Sequence, residues 1–561
     1  MRTKTVVTLA VALGSACAGL AVPAQAAGTT YYVDNRVAGC DDSGAGTSSA
    51  QPWCGFTPIT ARTFAPGDRI LLARGASWRE RAQLQGTGRA DAPITFGAYG
   101  SGDRPLLLNS GLGWGIRMIN PSHWQVSSIE VDGSGTDKLD AGIQVRFDGD
   151  AGIGNEDLRF SDVYVHHNQI GIAITGTAAP AADQWAIKDL TMARVEGAHN
   201  EVSIAFGNAS APRQFLQETT LTGLFLHNDD GAPAAEVGCA NALTLQSMTG
   251  VLLTNSVISD AGGCPVTTGT TGVYVGNVAN TTIMNNIIVN TDQTASPDQT
   301  GVDLEGNTDS VALRGNYIGN NVGWGVEDLA IHATANTRAS IVSNAIVFNG
   351  KEPIATVGSA STPTGSIGGN LWQGSALLYA GDGGSFDGFW VGPNPGPVTS
   401  TRVWYAARDW ATGQGQYGWR YEYSGDSGTT WSALTYQPAT EDWRPAAGAL
   451  PLISKWNWHP AGPGSLVARS WTAPTDGTVA IAGQAAKGVV GGDGVRVRIL
   501  DNSTTVVAPT DVDGTDLVGI GTDITTLQVQ AGDVIRFAVD AGSAGANSYD
   551  TVNWTPVIGY L

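Results

Sequence analysis

Thr271-Gly-Val-Tyr-Val-Gly-Asn277, Thr300-Gly-Val-Asp-Leu-Glu-Gly-Asn307 and Trp324-Gly-Val-Glu-Asp-Leu329 are three versions of one line. In each, glycine precedes valine, and the next position falls on the opposite face of an extended strand, occupied in turn by Tyr274, Asp303 and Glu327. Asp303 and Glu327 are 24 residues apart, which suits one turn of a coil whose parallel strands stack about 4.8 Å apart. Equivalent strands of successive turns then place the three side chains in one outward ladder. Two carboxylates one rung apart push one pKa up, leaving one group as an acid and the other as an anion.

Around these lines, short β-branched runs alternate with Asn, Asp, Gly and Ser, residues that favour turns, and helical periodicity is nearly absent. Asn255, Asn286, Asn316 and Asn344 recur at one coil length each, so one corner of the coil is expected to carry an asparagine ladder. Earlier strands extend the outward ladder to Gln144, Ala173, Ser203, Thr244, Tyr274, Asp303 and Glu327. A long insert holding Asp229, Asp230, Glu236 and Cys239 is expected to project beside the ladder.

The 561 residues exceed one ordinary core and suit a solenoid plus a second domain. Met1-Arg-Thr-Lys4, an apolar run from Val6 to Val22 and Pro23-Ala-Gln-Ala26 read as a signal peptide over 1–26, hence a secreted, extracellular protein with no membrane anchor. Cleavage removes Cys17 and leaves an even set, with Cys40 expected to pair with Cys54 and Cys239 with Cys264. Zinc held by four cysteines would need close Cys-x-x-Cys pairs, which are missing. A formal charge of −20 argues against nucleic acid as a partner, because phosphate binding needs clustered Lys and Arg. A neutral substrate and a monomeric protein fit better.

From about residue 400 the texture changes. Nine of the 17 tryptophans lie there, and runs such as Gly494-Val-Arg-Val-Arg-Ile499 alternate faces as a β-sandwich requires. The expected organisation is all-β: a right-handed parallel β-helix over 27–392, a linker over 393–400 and a β-sandwich over 401–561. Trp456 with Trp458, and Trp419 with Tyr421, are the candidate glycan-binding faces of the sandwich, with core packing as the alternative.

The opening of the mature chain, Tyr31-Tyr-Val-Asp34, Gly46-Thr-Ser-Ser-Ala-Gln-Pro-Trp53, Ala65-Pro-Gly-Asp68 and Ala92-Pro-Ile-Thr-Phe96, resembles that of secreted right-handed parallel β-helix proteins that act on polysaccharides, a likeness extending over about residues 28 to 370. The C-terminal part resembles jelly-roll accessory modules of bacterial secreted glycan-degrading enzymes. The placement of Asp303 and Glu327 is similar to that in β-helical β-xylosidases of glycoside hydrolase family 120. That resemblance implies Asp303 as nucleophile, Glu327 as acid/base, and Glu305 as a tuning or hydroxyl-binding group.

Side-chain alternation puts Asp303 and Glu305 on one surface, so Asp303, Glu305 and Glu327 form the candidate catalytic set. A pair one rung apart matches the roughly 5 to 5.5 Å of a retaining glycosidase, whereas Asp303 and Glu305 on one strand approach an inverting spacing. Tyr274, Trp324, His332, His227 and Asp230 are the candidate substrate-binding residues. The remaining histidines, His166, His167 and His199 among them, read as scattered. Alternatives stay open: a calcium-dependent polysaccharide lyase, since acid clusters suit that ion, with Lys188, Arg146 and Arg314 as possible bases, or a non-catalytic glycan-binding surface protein. No nucleophile-elbow, phosphate-loop or zinc-hydrolase motif is present.

Overall fold

The computed structural model describes residues 28–134, 141–207, 210–229, 241–263, 269–294, 296–446, 448–542 and 545–561. The signal segment, Asp230, Cys239 and Cys264 lie outside the described residues. Among those described, no helix is long and apolar enough to cross a membrane.

Parallel strands wind into a three-sided coil. Two sides belong to a 23-stranded sheet and the third is an 11-stranded sheet. The strands Asn241–Thr254 and Thr270–Met284 run through two sides without a break. One column of partners shows what drives the stacking: Ile143, Ile172, Ile204, Leu243, Val273, Val302, Val326 and Ile354 lie in register on successive turns, all buried. Each such side chain contributes roughly 1.5–3 kcal/mol by leaving water. A single turn cannot bury its apolar face alone, so neighbours are required.

Asparagines secure a corner. Asn286, Asn316, Asn344 and Asn370 each donate a side-chain N–H to the amide oxygen of the next member, ending at Asn394. The ladder begins at Ser256 rather than the expected Asn255, since it is the Ser256 backbone N–H that donates to Asn286. A second, shorter stack joins Asn321 to Asn349.

The N-terminal end is closed by stacked Tyr31 and Trp53 and pinned by the Cys40–Cys54 disulfide, with Cα atoms 5.0 Å apart. Antiparallel sheets of four, six and seven strands cover 404–560. They dock on the outer face of the third side, where Val403, Tyr405 and Val557 pack against Ile287, Tyr317 and Val347. Tyr405 donates to Thr555, which donates to Asn285 across the junction. Residues 393–400 are packed rather than loose: Asn394 ends the asparagine ladder, and the Val398 N–H donates to the Trp372 carbonyl. Trp419, Tyr421 and Trp458 are buried in the sandwich core, which rules out the two expected aromatic faces as pairs and leaves Trp456 alone half-buried.

Candidate functional site

Backbone register assembles the site. Tyr274 pairs with Asp303 and Asp303 with Glu327, then Glu327 with Ala355 and Ala355 with Tyr379. Because Val302, Leu304 and Val326 fill the core, Asp303 and Glu327 face out of the coil, side by side. Upstream the column runs Arg117, Gln144, Ala173, Ala205, Thr244, so Ala205 takes the rung expected for Ser203. Ser203 is buried at the corner, accepting from Asn200.

The pair faces outward and is nevertheless shut off from solvent, with Asp303 4% and Glu327 0% exposed. Tyr274 flanks it on one side and Ala355 on the other. Among the described residues, neither Glu327 oxygen has a hydrogen-bond partner, nor has Asp303 Oδ1. Carboxylates without donors in a dry setting favour the neutral form. Burial first, then the charges of Glu327, Glu305 and Asp298, hold the Asp303 carboxyl well above its ordinary range. Burial and then the Asp298 charge push Glu327 up to about 8, against the pull of Lys351. At neutral pH the two therefore hold at least one proton between them.

Three groups that the sequence did not single out complete the setting. Asp298 and Gln299 both have left-handed backbone, φ 65° and 54°, and the strand register slips where Thr270 meets Asp298. That kink lays the Asp298 carboxylate over Gly269, where a Cβ would stand 1.5 Å from Oδ2. Lys351 places its ammonium 3.6 Å from the centre of the Trp324 ring, and Trp324 stacks on Tyr379 at 5.9 Å. Asp328 turns inward beside Leu304; burial raises it to about 7 despite the bond it accepts from Asn336. No periodic signal marks these positions: Asp298 opens its strand at an irregular, register-shifted end, Lys351 sits in a bend, and Asp328 occupies a position the pattern reserves for an apolar residue.

Of the expected binders, Tyr274 lies beside Asp303, its ring over Gly276, where a Cβ would meet the phenol oxygen at 2.6 Å. His332 lies 2.8 Å from Glu305, at the edge of the site. His227 does not belong there. Its strand is in the third-side sheet, in register with Ala198 and Ser259, and its ring is 3.4 Å from Glu196. Arg146 is paired with Asp148 and Lys188 with Glu218, while Arg314 reaches Ser340, so none of the expected bases stands beside the acids. Among the described residues, the cation that acts on Glu327 is Lys351. A separate cleft of about 710 Å³, lined by Glu80, Arg81, Trp114 and Arg117 among others, lies at the far end of the same column. It lacks a carboxylate pair.

No known family model matches the chain. A stretch of 91 residues is 41% identical to the lacto-N-biosidase of Bifidobacterium longum subsp. longum, covering 15% of this chain and 6% of that protein. The chain thus spans only a small part of the curated relative it matches. Among solved structures, the GH136 lacto-N-biosidase from Eubacterium ramulus is similar at a TM-score of 0.43 and 14% identity, over 65% of this chain and 67% of that one. A pectate lyase is similar at a TM-score of 0.34 and 14% identity, over 66% and 80%.

Proposed function

We propose that this chain is a secreted, monomeric glycoside hydrolase that cleaves an oligosaccharide or polysaccharide with retention, Asp303 acting as nucleophile and Glu327 as acid/base. The observation that carries the reading is the in-register, outward pair Asp303/Glu327, three of whose four oxygens meet no donor among the described residues. Adjacent parallel strands about 4.8 Å apart bring the two carboxyls to the spacing of a covalent, two-step displacement. Glu327, raised to about 8, holds the proton that the leaving oxygen needs. With the pair's one proton on Glu327, Asp303 is the anion that attacks the anomeric carbon as the bond to the leaving oxygen breaks and Glu327 protonates that oxygen; Glu327 then takes a proton from the water that releases the sugar from Asp303. Glu305, tied to His332, tunes the pair, and Tyr274, Trp324 and Tyr379 offer rings for sugar faces.

The local 41% identity to a lacto-N-biosidase supports hydrolysis of a glycan. In this reading 27–392 form the catalytic unit, 393–400 the connection and 401–561 an accessory unit. The test is a glycan panel scored for new reducing ends and for ultraviolet absorbance, with and without chelator. Reducing ends without absorbance are expected. Absorbance that disappears in chelator would establish the calcium-dependent lyase instead, and saturable binding with no product would establish a glycan-binding protein.

A further inference from the structure

The third side of the coil carries titratable groups that hydrolysis does not use. Outward from core residues Val131 and Val165, Asp132 and His166 are direct register partners on the strands Glu130–Asp132 and Tyr164–His166. His167 follows at the corner with left-handed backbone, φ 56°. The histidines that looked scattered in sequence thus meet. Asp132 Oδ1, His166 Nδ1 and His167 Nδ1 all lie within 4.8 Å of one another. The two nitrogens are 2.7 Å apart, and the oxygen is 3.4 Å from one and 3.5 Å from the other. Ligands bound at about 2.0–2.1 Å in a tetrahedron stand roughly 3.3 Å apart, close to two of these three edges.

A second observation points the same way. His166 Nε2 lies 3.2 Å from Glu130 Oε1, and a ring nitrogen facing a carboxylate carries the proton. Its Nδ1 then presents a lone pair to His167 Nδ1 and to the Asp132 carboxylate. Asp132 Oδ1 already accepts from the Ser134 backbone N–H and hydroxyl, so what points to a cation is the convergence of this oxygen and the two ring nitrogens on one point. Glu130 stands where metal-bound histidines commonly find an outer carboxylate. Ser134 fixes Asp132 Oδ1 through its backbone N–H at 2.7 Å, and Tyr164 stacks on His166 at 4.3 Å.

We propose that Asp132, His166 and His167 form a site for one divalent first-row transition ion of the zinc type, clamping two consecutive turns and leaving a coordination position for water. Two imidazoles and one carboxylate suit such an ion better than calcium, which takes oxygen ligands.

The test uses the full chain, stripped with chelator, titrated with zinc chloride by calorimetry and with cobalt(II) by visible absorption. One equivalent should bind, cobalt should give ligand-field bands, and Tm should rise with metal. H167N, whose asparagine tolerates left-handed backbone, and D132N should each weaken binding by about tenfold or more, and E130Q by about tenfold. D303N should leave metal binding unchanged, which separates this site from the acid pair. No zinc or cobalt binding to the stripped protein, or equal binding in H167N and D132N, would overturn the proposal.

Discussion

Two polar stacks run along this coil with the same register logic and opposite chemistry. The asparagine stack from Asn286 to Asn370, ending on half-buried Asn394, is buried and satisfied, because an amide both donates and accepts and each member fills its neighbour's need. The Asp303/Glu327 stack is equally buried, yet a carboxylate only accepts, so three of its four oxygens find no donor among the described residues. An in-register polar ladder that completes itself is structure. One that cannot complete itself is poised to act on something else.

The sharpest way to break that contrast is to replace Asp303. D303N should lower turnover by on the order of 10³-fold or more while Tm stays level or rises, because a donor-capable amide replaces a buried acid; kinetics beside calorimetry check both. E327Q should also fail on ordinary glycosides but recover much of its first step on substrates with a good leaving group, and recovery in D303N instead would exchange the two roles.

The converse change is N316A. It removes one buried amide and strands the partners on both sides, so about 2–4 kcal/mol of stability should be lost, seen in denaturant unfolding, with activity per folded molecule unchanged. An effect on kcat as large as that of D303N would erase the distinction.

A smaller effect concerns pH. Glu327 has a folded pKa of about 8 against an ordinary 4.5, so the folded chain binds more protons than the unfolded one between these values. The stability tied to this group is present below about 4.5 and fades as pH rises towards 8. E327Q should therefore gain in Tm relative to the parent protein as pH increases across that window. Smallest of all, K351M should move the alkaline limb of the activity profile upward, since the Lys351 charge lowers Glu327, with a loss of rate of about tenfold or less.

Much of this was legible in the chain because a stacked coil repeats. The glycine–valine lines at 271, 300 and 324 place Tyr274, Asp303 and Glu327 correctly, one side chain per rung. The same reasoning slipped to Ser203 where the true rung is Ala205, because Val202 imitates the core valine of the line while Ile204 is the residue in register with Ile172. Asp298 and Lys351 escaped notice because one sits at a register-shifted strand end and the other in a bend, and neither place has a period. The sandwich tryptophans stayed open for another reason: alternation identifies a face without saying whether that face meets solvent or the core, and Trp419, Tyr421 and Trp458 meet the core, the alternative the sequence also allowed.

By itself, then, the sequence determined the winding and the rung on which each acid sits, since both follow from local alternation and coil length. Only the tertiary structure decided that the pair is dry, that Lys351 and Asp298 bear on it, and that Asp132, His166 and His167 converge on another side. Solvation and electrostatics depend on which distant segments close over a group, and that information resides in the packed turns rather than in any one of them.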